Sequence, residues 1–347
     1  MFAALDGTPL TLTSGGLRRY TEELLRALKA EYPGDQFVPL SDQIVRPGTF
    51  LDRRWWTVGL PRTIRRLGIS VFHGTDFAVP YLPVCPAVMT VHDVSPWSNR
   101  GWHSGAARVR RRTPILIRLG LVTLLLTPTE AVKREVLELF RISSDKVVVV
   151  PEAPAPHFQP RGVLREPDIP YFLFVGTIEP RKNIPTLIAA WREVRRKHPA
   201  VELFLAGRHR SDAPKIEAEP GLHVAGEVSE THLAALYNGA TALVYPSLYE
   251  GFGLPVVEAM QCGTPVIASR DPALIEVGGG APLHVAAEDA AAMAHVMCEV
   301  FEDAHLQARL SEAGLLRASQ FSWSRTARLT HEVYVEAIQR YSSRHRA

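Results

Sequence analysis

Cysteine is scarce in this chain, and uninterrupted hydrophobic runs of membrane-spanning length are absent. Cys85, Cys262 and Cys298 are its three cysteines and stand far apart, with no CxxC or His-rich spacing. Neither a disulfide framework nor a zinc site is expected, and they read as small buried residues of a cytosolic protein. The most apolar stretch, Ile115 to Leu126, carries Arg118 and is much shorter than the ~20 residues needed to span a bilayer. It reads as a helix end running into a buried strand. The opening Met1-Phe2-Ala3-Ala4-Leu5-Asp6 lacks the basic start and long apolar core of a signal peptide, so a cytoplasmic location is expected. A strong charge is missing too: the net value of +3 is too small to argue for nucleic acid. No Asp-x-Asp cluster offers itself to a divalent metal, so a metal-independent chemistry is expected.

What is present is the rhythm of an α/β protein, twice over. A chain of 347 residues has room for two ordinary domains, each with its own core. In the first half, strands are expected at Phe2–Leu5, Val71–His73, Ala87–Val91, Leu121–Leu126 and Val147–Val150. Helices are expected at Leu17–Ala30, Arg53–Leu67, Ser104–Arg118 and Glu130–Phe140, the last with Thr129 as N-cap. The second half repeats the alternation, with strands at Tyr171–Val175, Glu202–Ala206, His223–Ala225, Ala242–Tyr245 and Pro265–Ala268. Its helices fall at Ile184–His198, Glu230–Asn238 and Val256–Cys262. Such alternation predicts parallel sheets, and the proline-rich Pro151–Pro170 is the natural linker. Parallel sheets bind ligands at the carboxyl ends of their strands, so a cleft between the domains is the expected site.

The most informative run is Glu250-Gly251-Phe252-Gly253-Leu254-Pro255-Val256-Val257-Glu258. Two carboxylates stand apart, one on a loop after a strand and the other in the next helix. Pro255 has the φ suited to a first helical turn, and Gly263 can close the helix. Gly251 and Gly253 let backbone approach a ligand, and free N–H groups at the helix start favour an anion. This suits a ligand with hydroxyls at both ends and phosphate between, as in a nucleotide sugar. First-turn acids and loop glycines are also ordinary features of a helix entry.

Three further places carry chemistry. Gly15-Gly16, ahead of the first amphipathic helix, reads either as a phosphate cradle or as a flexible turn. Gly176 ends a strand, and Arg181-Lys182 follow on its loop, where a guanidinium fork and an ammonium suit a diphosphate. His92, in Thr90-Val91-His92-Asp93, ends a first-half strand, where it serves either the site or the local hydrogen-bond network.

The chain resembles the family 4 glycosyltransferases, retaining sugar-nucleotide-dependent enzymes of GT-B fold. The resemblance rests on Gly15-Gly16 before a helix, Val91-His92-Asp93, Thr127-Pro128-Thr129-Glu130, Gly176 through Asn183, Glu250 through Glu258, and Cys262-Gly263-Thr264-Pro265-Val266-Ile267. It covers essentially the whole chain, and Arg181-Lys182 with the Glu250…Glu258 element is its specific part. It implies two Rossmann-like domains facing across a cleft, an acceptor domain over 1–158, a nucleotide-sugar donor domain over 159–322, and a C-terminal helix over 323–347 that packs back on the first. Arg181 and Lys182 would hold the leaving diphosphate. Glu250 would bind hydroxyls of the transferred sugar, beside Gly251, Phe252, Gly253 and Leu254. Glu258 would take the ribose hydroxyls, Gly15, Gly16 and Gly176 would lie against the donor, and His92 would stand near its sugar. Two departures stand out: Leu17-Arg18 follow Gly16 where relatives carry a smaller pair, and Thr129-Glu130 stand where relatives often have Phe-Ser.

The resemblance implies transfer of a hexose, mannose first, from a GDP- or UDP-sugar to a glycan or lipid-linked glycan of the cell surface, with no cofactor and no metal. Arg100, Arg108, Arg110, Arg111, Arg112 and Arg118, with Trp97 and Trp102 nearby, read as a surface for anionic headgroups at the cytoplasmic membrane face or as a solvated basic helix. Other GT-B chemistry, an epimerase or a phosphorylase, and a catalytically silent nucleotide-binding subunit are the competing readings. A phosphorylase needs a pyridoxal phosphate lysine and a longer chain. Retention of all four charged residues, Arg181, Lys182, Glu250 and Glu258, argues against a silent subunit.

Overall fold

The structure, a computed structural model, describes residues 1–11, 15–46, 48–160 and 169–344. Contacts divide it into two compact units, Met1–Glu152 with Ser322–Ala347, and Ala153–Phe321. The first division falls at Glu152/Ala153 rather than at 158/159, because Ala155 and Phe158 are buried in the core of the second unit. The Gln261 amide also donates to both their carbonyls. Residues 161–168 of the expected Pro151–Pro170 linker lie outside the described residues.

The first unit is built on six parallel strands, β1 (Phe2–Asp6), β2 (Gln36–Leu40), β3 (Val71–Gly74), β4 (Ala87–Thr90), β5 (Leu124–Thr127) and β6 (Val147–Val149), in the order β2-β1-β3-β4-β5-β6. β3, β4 and β5 are buried throughout, as apolar strands of a covered parallel sheet must be. β2 has no counterpart among the expected strands. Its Pro39 interrupts the strand pattern and is tolerated because β2 lies at the sheet edge. The expected helix Arg53–Leu67 is broken into a 3-10 turn (Leu51–Arg53), a π turn (Trp55–Gly59) and an α-helix (Leu60–Leu67). Gly59 explains the break, since a Cβ there would stand 2.4 Å from the Asp52 carbonyl oxygen. The helix Ala107–Arg118 runs into β5 as expected, although the strand starts at Leu124 rather than Leu121. The Gly120 and Leu121 amides still close the helix on Ile117 and Leu116.

The C-terminal helix Trp323–Arg344 belongs to this unit. Tyr334 Oη meets His73 Nδ1 at 2.7 Å, His73 Nε2 meets Thr90 Oγ1 at 2.7 Å, and Thr90 Oγ1 meets Tyr20 Oη at 3.0 Å. Burial and the nearby His92 pull His73 down to about 3, so the ring sits neutral between hydroxyls. Toward the surface Arg328 pairs with Glu31, and His331 with Asp35.

The second unit repeats the plan with β7 (Tyr171–Val175), β8 (Glu202–Ala206), β9 (Leu222–Gly226), β10 (Ala242–Tyr245), β11 (Val266–Ser269) and β12 (Leu283–Val285), all parallel, in the order β12-β11-β10-β7-β8-β9. The order runs β7-β8-β9 one way and β10-β11-β12 the other, so it reverses between β7 and β10. Loops leaving the carboxyl ends of those two strands therefore flank a crevice, the usual ligand position in such sheets. Four elements between 272 and 318 were not expected from the sequence: helices Pro272–Gly278, Ala290–Glu302 and Ala304–Ala318, and strand β12.

Candidate active site

At the reversal point of the second unit, the loop after β7 and the loop after β10 are bound to each other. Asn183 takes a left-handed φ of 55° ahead of the helix Ile184–Lys197, and its side chain donates to the Pro246 and Ala287 carbonyls. The Leu248 amide donates to the Arg181 carbonyl at 2.8 Å, and Arg181 Nη1 donates to the Tyr249 carbonyl at 2.9 Å. These contacts fix Arg181, Lys182 and Glu250 together.

Lys182 Nζ forms an ion pair with Glu250 Oε1 and donates to Tyr245 Oη at 2.7 Å. Arg181 Nη1 lies 3.1 Å from Glu250 Oε2, and its Nε 2.7 Å from Glu179 Oε1. Glu179 also pairs with Arg210, which arrives from the loop after β8. Burial alone would push the Glu250 carboxyl up, but the Lys182 and Arg181 charges prevail and hold it at about 2. Burial and then Arg181 draw the Lys182 ammonium below its ordinary value, with Glu250 opposing them. The sequence brought Arg181, Lys182 and Glu250 forward; Glu179, Arg210 and Tyr245 complete the cluster.

Behind Glu250 stands Asp271, the N-cap of the helix Pro272–Gly278. It accepts from the amides of Ala273 and Leu274 and, through Oδ2, from the Glu250 amide at 3.2 Å. Burial, followed by the Glu250 charge, raises its carboxyl to about 6. Gly176 and Gly207, at the ends of β7 and β8, approach so closely that a Cβ on Gly207 would lie 2.1 Å from the Gly176 oxygen.

The glycine turn after Glu250 leads into the helix Leu254–Gln261, with Pro255 in its first turn. Gly253 has a φ of 89°, and no side chain caps the helix start, so its first amides are not taken by a cap. Phe252 is buried and meets Phe321 edge-on at 5.7 Å. Glu258 is buried in the same helix and accepts from Tyr237 Oη at 2.8 Å. At the far end Gly263 takes a φ of 77°, the left-handed close of the helix.

In the first unit, Gly15 has a φ of 114° and precedes the helix Gly16–Glu31, whose start again has no side-chain cap and no acid in its first turn. A Cβ on either Gly15 or Gly16 would meet nothing within 4 Å. Arg18 pairs with Glu22 along the same helix. His92 is held at both ring nitrogens, with Nδ1 2.8 Å from Glu152 Oε1 and Nε2 2.8 Å from the Thr75 carbonyl. Burial opposes its charge, but Glu152 and Asp76 outweigh it, and the imidazole is raised above its ordinary value. Thr129 caps the helix Glu130–Phe140 through the Val132 amide.

The Arg100–Arg118 stretch divides by role. Arg110 donates to the Pro96 and His103 carbonyls, Arg112 lies 4.7 Å over the Tyr81 ring, and Trp97 is packed between Phe77 and Phe140. Arg108, Arg111, Ile115, Arg118 and Leu119 remain exposed. Among the described residues, no helix is long and apolar enough to cross a membrane.

Two family models match the chain: "Glycosyltransferase Family 4" over residues 14–154 and "Glycosyl transferases group 1" over 158–317. O-antigen chain mannosyltransferase B of Escherichia coli is 32% identical over 285 residues, covering 76% of this chain and 74% of that protein. MMP alpha-(1->4)-mannosyltransferase of Mycolicibacterium hassiacum is 31% identical, covering 83% and 78%. Among solved structures, Anabaena Alr3699/HepE in complex with UDP-glucose superposes with a TM-score of 0.74 at 16% identity, covering 96% of this chain and 99% of that one. The two parallel six-stranded sheets are those of the GT-B fold.

Proposed function

The chain belongs to the group 1 glycosyl transferases, and we propose that it moves a hexose, mannose first, from a nucleoside-diphosphate sugar to a glycan or lipid-linked glycan, with retention of anomeric configuration. The observation that carries this reading is the buried Arg181–Lys182–Glu250 cluster at the point where the second sheet reverses. A diphosphate leaving an anomeric carbon gathers negative charge. Cations already fixed at that spot stabilise it without reorganising, and no metal is called upon. Arg181 and Lys182 take that role, with the uncapped start of the helix Leu254–Gln261 beside them. Gly176 leaves room for the phosphates on the β7 side. Glu250, ionised and aimed by its two cations, orients hydroxyls of the transferred sugar. Glu258 accepts from the ribose while Tyr237 holds its other edge.

In the first unit, Gly15 and Gly16 offer an uncapped helix start suited to phosphate, and His92 offers a ring held at both nitrogens. Mannose is favoured by the two mannosyltransferase relatives, while the UDP-glucose bound by Alr3699/HepE keeps a uridine donor in the comparison. The exposed Arg108, Arg111 and Arg118 with Ile115 and Leu119 suit peripheral contact with anionic lipid at the cytoplasmic face, where a lipid-linked acceptor would be presented. Flotation with anionic vesicles that survives Arg108→Ala/Arg111→Ala/Arg118→Ala would remove that contact from the reading.

The test of the donor site is thermal stabilisation by GDP, UDP, GDP-mannose and UDP-glucose without metal, on the natural protein and on Arg181→Ala/Lys182→Ala. A ligand of the folded state alone raises the melting temperature. One base should win, and its gain should vanish in the variant. Equal gains in both proteins would take the diphosphate away from this pair.

A further inference from the structure

The first unit holds a cavity of about 310 Å³ between the loop after β2 and the helix Leu60–Leu67, near the lower limit of about 300 Å³ for small-ligand sites. Arg46 enters it from the loop, and Arg62 and Arg66 from successive turns of the helix. Asp52 is the one carboxylate among the described lining residues, and it is already engaged. Its Oδ1 accepts from Arg62 at 3.0 Å, and its Oδ2 from the Thr49 hydroxyl at 2.7 Å. Trp55, also in the lining, is 5% exposed, yet its indole Nε1 has no hydrogen-bond partner. The wall is preformed, because Gly59 brings the helix entry against the Asp52 backbone.

Three guanidinium groups, with the single carboxylate already paired, make a cationic lining rich in donors. Such a lining selects a ligand that is anionic and accepts hydrogen bonds on every side. Arginine forks match phosphate in particular. We propose that this cavity is a phosphate-ester binding site of the first unit, built from none of the residues assigned to the donor. Two sources supply that chemistry: a free sugar phosphate, or the phosphate of a lipid headgroup. The second is worth an arm of its own because Phe50 and Leu51, on the same loop, are 79% and 50% exposed.

The test uses the full chain saturated with whichever nucleoside diphosphate stabilises it most, so that the donor site is filled. Glucose 6-phosphate is titrated calorimetrically, and flotation is measured with phosphatidylglycerol vesicles against phosphatidylcholine vesicles. Both are repeated on Arg46→Ala/Arg66→Ala, whose two side chains are exposed. Weakening of either probe by about ten-fold or more in the arginine variant supports the site, and the probe affected identifies the source. No binding of either probe, or binding that the arginine variant leaves unchanged, overturns it. If no nucleotide binds at all, the donor reading fails, yet the comparison of natural protein with variant still reads the cavity by itself.

Discussion

Lys182 and Glu250, 68 positions apart in the chain, meet as a buried ion pair at the centre of the polar cluster of the second unit. A buried pair is weak evidence of net stability, because two charges lose water to make it, but breaking one side leaves the other charge stranded. Glu250→Leu should therefore destabilise the fold by about 3–5 kcal/mol. Lys182→Met/Glu250→Leu should cost less than the two single changes added together, with a coupling of about 0.5–3 kcal/mol. Denaturant melts of the three variants close the cycle. Strict additivity would mean that Lys182 is held by Tyr245 and solvent rather than by Glu250.

Tyr237 gives a cleaner handle on the ribose contact proposed for Glu258. It is buried, its backbone oxygen accepts from Thr264, and its hydroxyl serves Glu258 Oε2. Tyr237→Phe keeps the ring and frees one carboxylate edge. The KM for the donor should rise roughly ten-fold, the equivalent of a charge-assisted hydrogen bond of about 1.5 kcal/mol, while kcat stays near the natural value. A fall in kcat with KM unmoved would place Glu258 at the reacting sugar instead.

Asp271 predicts a pH signature in stability. Its carboxyl is raised from 3.8 to about 6, so between those values the folded chain keeps a proton that the unfolded chain has released. Its contribution is therefore fully present at acid pH and is lost as pH rises through about 6. Asp271→Asn retains an oxygen for the Glu250 amide and removes the titration. The melting temperature of the variant, relative to the natural protein, should improve steadily from pH 4 to pH 7. A flat difference would mean that the carboxyl ionises normally.

His92 runs with the opposite charge. Glu152 and Asp76 raise its imidazole above the ordinary 6.5, so its stabilising contribution is present below 6.5 and fades as pH climbs through the raised value. Glu152→Gln should accordingly lower the melting temperature more at pH 6 than at pH 9. An equal drop at both would make Glu152 a packing residue rather than the counter-charge of His92.

The candidate site was legible in the sequence where its residues are consecutive or fall on one helix. Arg181-Lys182 share a loop, and Glu250 to Glu258 span a turn and a helix entry, so strand and helix periodicity placed them without tertiary knowledge. Arg210 and Asp271 were not legible in these roles, because they reach Glu179 and Glu250 from loops after β8 and β11, and only the strand order shows that those loops adjoin; Glu179 shares the loop of Arg181, but its bridge to Arg210 shows only in the fold. His92 could be placed at a strand end, but its partner Glu152 lies 60 positions on. The sign of the Arg100–Arg118 stretch was plain, yet packing alone decides that Arg110 and Arg112 turn inward. β2 was hidden by its own proline, which reads as a breaker until the strand is known to lie at an edge.

Gly207 gave no signal either, and it carries the sharpest steric prediction. Its φ of 141° is one that side chains rarely adopt, and a Cβ would sit 2.1 Å from the Gly176 oxygen and 2.6 Å from its carbonyl carbon. Both atoms are backbone, so no side-chain movement relieves the contact, and β7 and β8 must separate at their carboxyl ends. Gly207→Ala should cost about 1–3 kcal/mol from the conformation alone and shift Gly176 away from Lys182. Donor binding should weaken alongside, whereas Gly226→Ala, with a φ of 67° and open space around it, should lower the melting temperature while leaving the donor KM unchanged. Paired melting curves and donor titrations separate the two. Natural donor affinity in a destabilised Gly207→Ala would show that the Gly176 end of β7 does not shape the phosphate site.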